Sequence, residues 1–127
     1  MITSFYAGFA GIIYLALSIY VIRGRFKAEV SLGNGNNKEL EKRIRCHANF
    51  IEYAPLVLIL MALIEYQSQF LVAVHAIGIM LIIGRLLHPI GLMRKHGASF
   101  GRSGGMVLTF TALIIASFLN LYLFLVS

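Results

Sequence analysis

Lys42, Arg45, Asn49 and Glu52 recur at steps of three, four and three along one stretch of the chain. On an α-helix each step advances about 100° around the axis, so the four side chains fall within an arc of roughly 80°, which Tyr53 widens to about 100°. Two cations, an amide, a carboxylate and a phenol on one stripe suit a small anion that also carries an amine. Guanidinium forks take carboxylates bidentately, and Glu52 can take an ammonium. The same residues admit a plainer reading, in which Glu52 pairs with Arg45 or Arg85 and the stripe only ties helices together. Both hold if an acid bridges protein and ligand. The stripe runs directly into 53–64, which carries no charge. A membrane helix does not hold such groups on one face without a reason.

A second set lies further on. Arg85 and His88 are three apart and share a helix face. Arg85 follows a long uncharged run and is deep enough to need a partner, with Glu52 or another carboxylate at its depth expected in that role. Arg102 and Ser103 precede the last apolar run. The connection Arg94–Gly105, with Lys95, His96, Gly97, Gly101, Gly104 and Gly105, reads as a short basic glycine-rich loop whose backbone N–H groups and Arg102 suit an anion.

Other chemistries find little support. His75 and His88 share one helix, and His47 is the one other histidine in a span, so paired haem ligation is disfavoured and His75 reads as a packed or hydrogen-bonded residue. No Cys, His or carboxylate spacing suggests zinc, and metal is not expected. Aspartate is absent, which removes a Ser–His–Asp set. The single cysteine, Cys46, forms no intrachain disulfide and reads as a small packing residue at the membrane edge.

The elements that must position these groups are membrane spans. Of 127 residues 59% are hydrophobic and 13% charged, and mean hydropathy is +0.84. A soluble domain of this length cannot hide so much apolar surface. Apolar runs predict an all-α chain of four spans, about 2–22, 39–66, 70–93 and 104–126, in a single domain. The first reads as a span and not as a cleavable signal, because no basic region precedes it. The net charge of +6 sits mostly between spans one and two and between spans three and four, whereas the connection at Gln67–Gln69 has no Lys or Arg. By the positive-inside rule those two basic connections are cytoplasmic and both termini outside, so the basic balance describes topology and no nucleic-acid partner is expected. The second helix is long enough to project about 10 Å beyond a 30 Å hydrocarbon core, which places the stripe at the cytoplasmic interface. Pro55 and Pro89 are expected to kink their helices. Arg23 closes span one either as a membrane-edge anchor or pointing inward. Ser31–Asn37 is a mobile cytoplasmic loop or a short lid over a site, Gly8 and Gly11 a packing face, Asn120 an interhelical hydrogen-bonding residue, and Glu65 a solvated end group.

Four spans in this length, with Arg45-x-x-x-Asn49-x-x-Glu52-x-x-Pro55 opening span two inside RIRCHANFIEYAP, resemble the MAPEG family (membrane-associated proteins in eicosanoid and glutathione metabolism). Arg85-x-x-His88 and the later Arg102-Ser103 extend the resemblance over essentially the whole chain. It implies a left-handed four-helix bundle forming a homotrimer in the inner membrane of a bacterium. Glutathione would be bound as co-substrate between subunits near the cytoplasmic face. Arg45, Asn49, Glu52 and Tyr53 look like its holding residues, with Arg23, Lys42, Arg85 and His88 beside them. Arg102 looks like the arginine that stabilises the thiolate, with Ser103 its neighbour. The implied activity is transfer of glutathione to a lipophilic electrophile, or reduction of a lipid hydroperoxide, the second substrate arriving from membrane lipid. Leu92 and Met106 stand where eicosanoid members tend to place tyrosines, which argues against their specific chemistries. Two other readings remain: a small four-span multidrug transporter, which needs a carboxylate midway through a span, and a non-catalytic membrane protein of the same fold.

Overall fold

The computed structural model describes residues 1–67, 70–94 and 99–126. Four helices account for nearly all of them: α1 (Ile2–Ala28), α2 (Lys38–Gln67), α3 (Leu71–Arg94) and α4 (Phe100–Val126). Each is long and apolar enough to cross a membrane. The expected spans are thus all present, with α1 running one and a half turns further than its apolar run. Gln69, Lys95, His96 and Gly97 lie outside the described residues.

Local chemistry explains the helix ends. Glu29 adopts the left-handed conformation that terminates α1, and Val30 N–H donates back to the Arg25 carbonyl at 3.1 Å. Asn37 caps α2, its Oδ1 accepting from Leu40 N–H at 2.9 Å, and Glu39 and Glu41 occupy the first turn, where carboxylates suit the positive end of the helix dipole. The turn from 29 to 37 uses positive φ at Gly33, Gly35 and Asn36, as the Gly and Asn content of 31–37 predicts. Both α2 and α3 continue as helix through their prolines.

Phe50, Ala54, Val57, Met61 and Ile64 of α2 repeat at alternating steps of four and three and face Val74, Ile77 and Leu81 of α3 and Ala112, Ala116 and Leu123 of α4. α1 packs on α2 and α3 without reaching α4, so α2 and α3 form the middle of the bundle. Outside this core the surface is inverted. Ile12, Phe118 and Leu125 are each at least two-thirds exposed, as are other large apolar residues spread over the outward faces. Such a surface is at home in lipid, not in water; this is an integral membrane protein.

The closest pairing is between α3 and α4. A Cβ on Gly84 would lie 2.8 Å from the Gly105 carbonyl oxygen, and one on Gly105 would lie 2.7 Å from the Gly84 oxygen. Glycines here let two backbones approach. Gly101 and Gly105 therefore belong to a helix seam and not to the loop expected from their composition. Gly8 and Gly11, expected to pack, have nothing within 4 Å of an added Cβ and face outward.

Polar side chains also bond between helices, both within the apolar body and at its edge. Asn120 Nδ2 donates to the Leu60 carbonyl at 3.0 Å, as expected. The Tyr6 hydroxyl and His75 Nδ1 are 2.9 Å apart. Glu65 departs from expectation: its carboxylate accepts from the backbone N–H groups of Ile2 and Thr3, the latter at 2.8 Å, and so caps the start of α1 from another helix. Helix N–H groups at a membrane edge otherwise rely on water. Glu65→Ala is expected to lower thermal stability by about 1 kcal/mol, the usual worth of an N-cap, measured by unfolding of the detergent-solubilised protein; an unchanged midpoint would show the cap to be idle.

Candidate functional site

The start of α2, the end of α3 and the first turn of α4 enclose a cavity of about 360 Å³, within the usual range for small-molecule sites. Its α2 wall is Lys38, Glu41, Lys42, Arg45 and Asn49, whose spacing keeps them on one face. His88 and Leu92 come from α3 and Arg102 from α4. Lys38 and Glu41 were not among the expected site residues. Their signal was the same helical spacing, extended one turn before Lys42.

Arg102 reaches the cavity because α4 starts earlier than its apolar run. Ser99 Oγ accepts from Arg102 N–H at 3.2 Å and itself donates to the Gly91 carbonyl of α3 at 2.9 Å. Ser99 therefore caps α4 and fastens its first turn to α3, four residues ahead of the boundary at 104 expected from hydropathy alone. A serine directly before Phe100 was the readable sign. The cap sets Arg102 in the first turn, where the helix dipole adds to its positive charge. Ser103 is exposed and does not line the cavity.

Beneath the cavity Arg85 is fully buried. Its expected carboxylate partner is not there. Nη1 donates to Asn49 Oδ1 at 2.7 Å and to the Asn49 carbonyl at 3.3 Å, while Nη2 lies 3.5 Å from the Gly105 carbonyl and from Met106 Sδ. The guanidinium stands 5.7 Å from the centre of the Tyr53 ring. Burying a carboxylate beside it would add a second desolvation cost, whereas carbonyl oxygens are present anyway. The contact also fixes Asn49. Arg85 can only donate, so Asn49 must turn its oxygen inward, leaving the amide NH2 with its two donors as the group it can offer a ligand.

Glu52 pairs with Arg45 at 3.6 Å, with both side chains about half exposed. Such a pair is weak and leaves both groups free to exchange partners. Tyr53 packs against Phe110, ring centres 5.5 Å apart, and not into the cavity. Arg23 stands elsewhere, between α1 and α2. Of the expected residues the structure thus brings together Lys42, Arg45, Asn49, His88 and Arg102, sets Arg85 directly behind Asn49, and leaves Arg23, Glu52, Tyr53 and Ser103 outside the lining. Cys46 is buried in the packing. Among the described residues no group of three His, Cys or Glu side chains is placed to hold a metal ion.

Four cations against one carboxylate give the cavity an excess of positive charge, which suits an anion that also carries one cationic group. Its donors are forks, an ammonium pair and an amide, and Leu92 supplies an apolar wall without a hydroxyl.

The MAPEG family model matches residues 3–122. The inner membrane protein YecN of Escherichia coli strain K12 is 34% identical over 122 residues, which cover 96% of this chain and 92% of YecN. YecN of Escherichia coli O6:H1 matches to the same extent.

Proposed function

The chain belongs to the MAPEG family, and on that footing we propose that it is an inner-membrane, glutathione-dependent transferase or peroxidase acting on lipophilic substrates. The observation that carries the reading is the cavity with four cations and one carboxylate, Arg102 among them. Glutathione has two carboxylates, an ammonium and a thiol. Lys38, Lys42 and Arg45 would hold its carboxylates, Glu41 or Glu52 its ammonium, and the Asn49 amide a backbone carbonyl. Arg102 would then face the sulfur.

In the transfer reaction the thiolate attacks an electrophilic carbon, a C–S bond forms, and the leaving group departs with its electron pair. With a hydroperoxide, two glutathione thiols are oxidised to a disulfide while the peroxide is reduced to an alcohol and water. The protein's part in either is to supply the thiolate and to exclude competing donors. A homotrimer with left-handed bundles, with both termini outside and the cavity on the cytoplasmic side, belongs to the same proposal. Glutathione would arrive from water and the second substrate from the bilayer.

Titration of glutathione into the detergent-solubilised protein tests the proposal. Saturable binding with a rise in thiolate absorbance at pH 7 is expected. Binding without thiolate would leave a receptor and remove the enzyme, and no binding would remove both.

A further inference from the structure

At the end of the bundle away from the cavity, α1 and α3 enclose an apolar groove of about 180 Å³ lined by Phe5, Tyr6, Phe9, Ile79, Ile82 and Ile83. We propose that this groove binds a neutral membrane lipid with a flat carbonyl-bearing ring, a quinone, whose carbonyl accepts a hydrogen bond from His75 at the head of the groove.

The donor is the first support. His75 is exposed on a face of α3 that otherwise turns Val72, Ile79 and Ile83 outward. It stands one turn before Ile79 and two before Ile82, so it closes one end of the groove. Its Nδ1 lies 2.9 Å from the Tyr6 hydroxyl. Tyr6 is buried, and Nδ1 is the one acceptor its hydroxyl reaches among the described residues. A buried phenol gives its proton to such an acceptor, which assigns the hydrogen of the neutral imidazole to Nε2. Nε2 in turn has no partner among the described residues. An exposed N–H in a span needs an acceptor, and lipid tails offer none.

Fixed walls are the second support. The Tyr6 ring lies against Gly78, where a Cβ would come within 2.5 Å of it. Its ring on Gly78 and its hydroxyl on His75 hold Tyr6 at both ends. Phe5 stands edge-on to Tyr6 and to Phe9, with ring centres 5.3 Å and 4.9 Å apart. One wall of the groove is therefore aromatic, and the other is three isoleucines.

Chemistry selects the occupant. No Lys or Arg occurs before Arg23 or between Arg45 and Arg85, while the Glu65 carboxylate lies at this end of the bundle, on the first turn of α1. An anionic head group would meet repulsion and no cationic side chain. The groove holds the volume of about six waters, room for a substituted ring and not for a two-chain lipid. Aromatic side chains stack on a conjugated ring, whereas a straight acyl chain gains nothing from them beyond contact. The tail of the ligand continues into the bilayer.

Native mass spectrometry of the full detergent-solubilised chain, with a decyl benzoquinone, decylbenzene and methyl palmitate at equal concentration, tests the proposal. The quinone is expected to be retained at least about fivefold over each of the others, one neutral hydrogen bond's share. His75→Phe should erase that preference. Ile79→Trp should fill the groove and remove the quinone altogether; Ile79 is half exposed, so the variant keeps its helices, checked by circular dichroism. Equal retention of decylbenzene would take His75 out of the recognition, and equal retention of methyl palmitate would make the groove an acyl-chain site. A quinone still bound after Ile79→Trp would lie elsewhere, the first cavity included. Each of these three results overturns the proposal. No glutathione is present in the measurement, so its outcome is independent of whether the first cavity is catalytic.

Discussion

Arg102→Leu is expected to lower glutathione transfer by about 10²–10³-fold, the usual cost of removing one preorganised charge from a reacting centre. A free thiol with a pKa near 8.5 is only a few per cent thiolate at pH 7. A guanidinium beside it favours the charged form and lowers that pKa, each unit being worth about 1.4 kcal/mol. With the pKa lowered, thiolate persists down to the new value, so the unaltered protein should show a nearly flat rate from pH 7 upward. Without Arg102 the pKa returns toward 8.5, and the rate should rise about tenfold per pH unit until that value is passed. Arg102 is exposed, so the variant should keep its fold and still bind glutathione through Lys42 and Arg45. The measurement is thiolate absorbance with saturating glutathione, beside the pH–rate profile. Undiminished thiolate in Arg102→Leu would take the arginine out of the chemistry.

Gly91→Leu is expected to abolish the site by a different route. A Cβ on Gly91 would overlap the Arg102 backbone nitrogen and lie 2.6 Å from the Gly101 carbonyl carbon and 2.7 Å from Ser99 Oγ. Two of the three are backbone atoms and cannot rotate aside. Leucine must push the first turn of α4 off α3, breaking the Ser99–Gly91 bond and carrying Arg102 with it. The cost should exceed about 3 kcal/mol, at the upper end for overpacking. Loss of glutathione binding together with an early thermal transition is the expected result. Gly104→Ala is the control, since nothing lies within 4 Å of a Cβ there. If Gly91→Leu unfolded no earlier than that control, the seam would not be holding the site.

How far the chain could be read in advance differs from group to group. Four spans were legible because lipid demands long uncharged helices, and length alone identifies them. The α2 stripe was legible because its spacing is helical whatever packs against it. The start of α4 was not, because glycine has two uses. Gly101, Gly104 and Gly105 look like a loop by composition, yet Gly101 and Gly105 serve close approach, which depends on a partner helix that no local pattern reveals. The partner of Arg85 was missed because charge pairing was expected in a place where a backbone carbonyl and an amide were already available. Glu65, expected to be a solvated end group, was missed as a cap for a different reason: its partners are N–H groups more than sixty positions earlier, and sequence spacing carries no trace of them. Tyr53 shares the stripe's arc but turns to Phe110, since a ring gains more from apolar contact than from a wet cavity.

The clasp between Glu65 and the amides of Ile2 and Thr3 bears on biogenesis. During synthesis α1 leaves the ribosome well before Glu65 does, so its leading turn enters the bilayer with those amides unanswered. The hairpin can lock only when the far end of the second helix has crossed. Assembly therefore has a built-in order, in which bringing the far end of α2 beside the start of α1 is the step that closes the clasp.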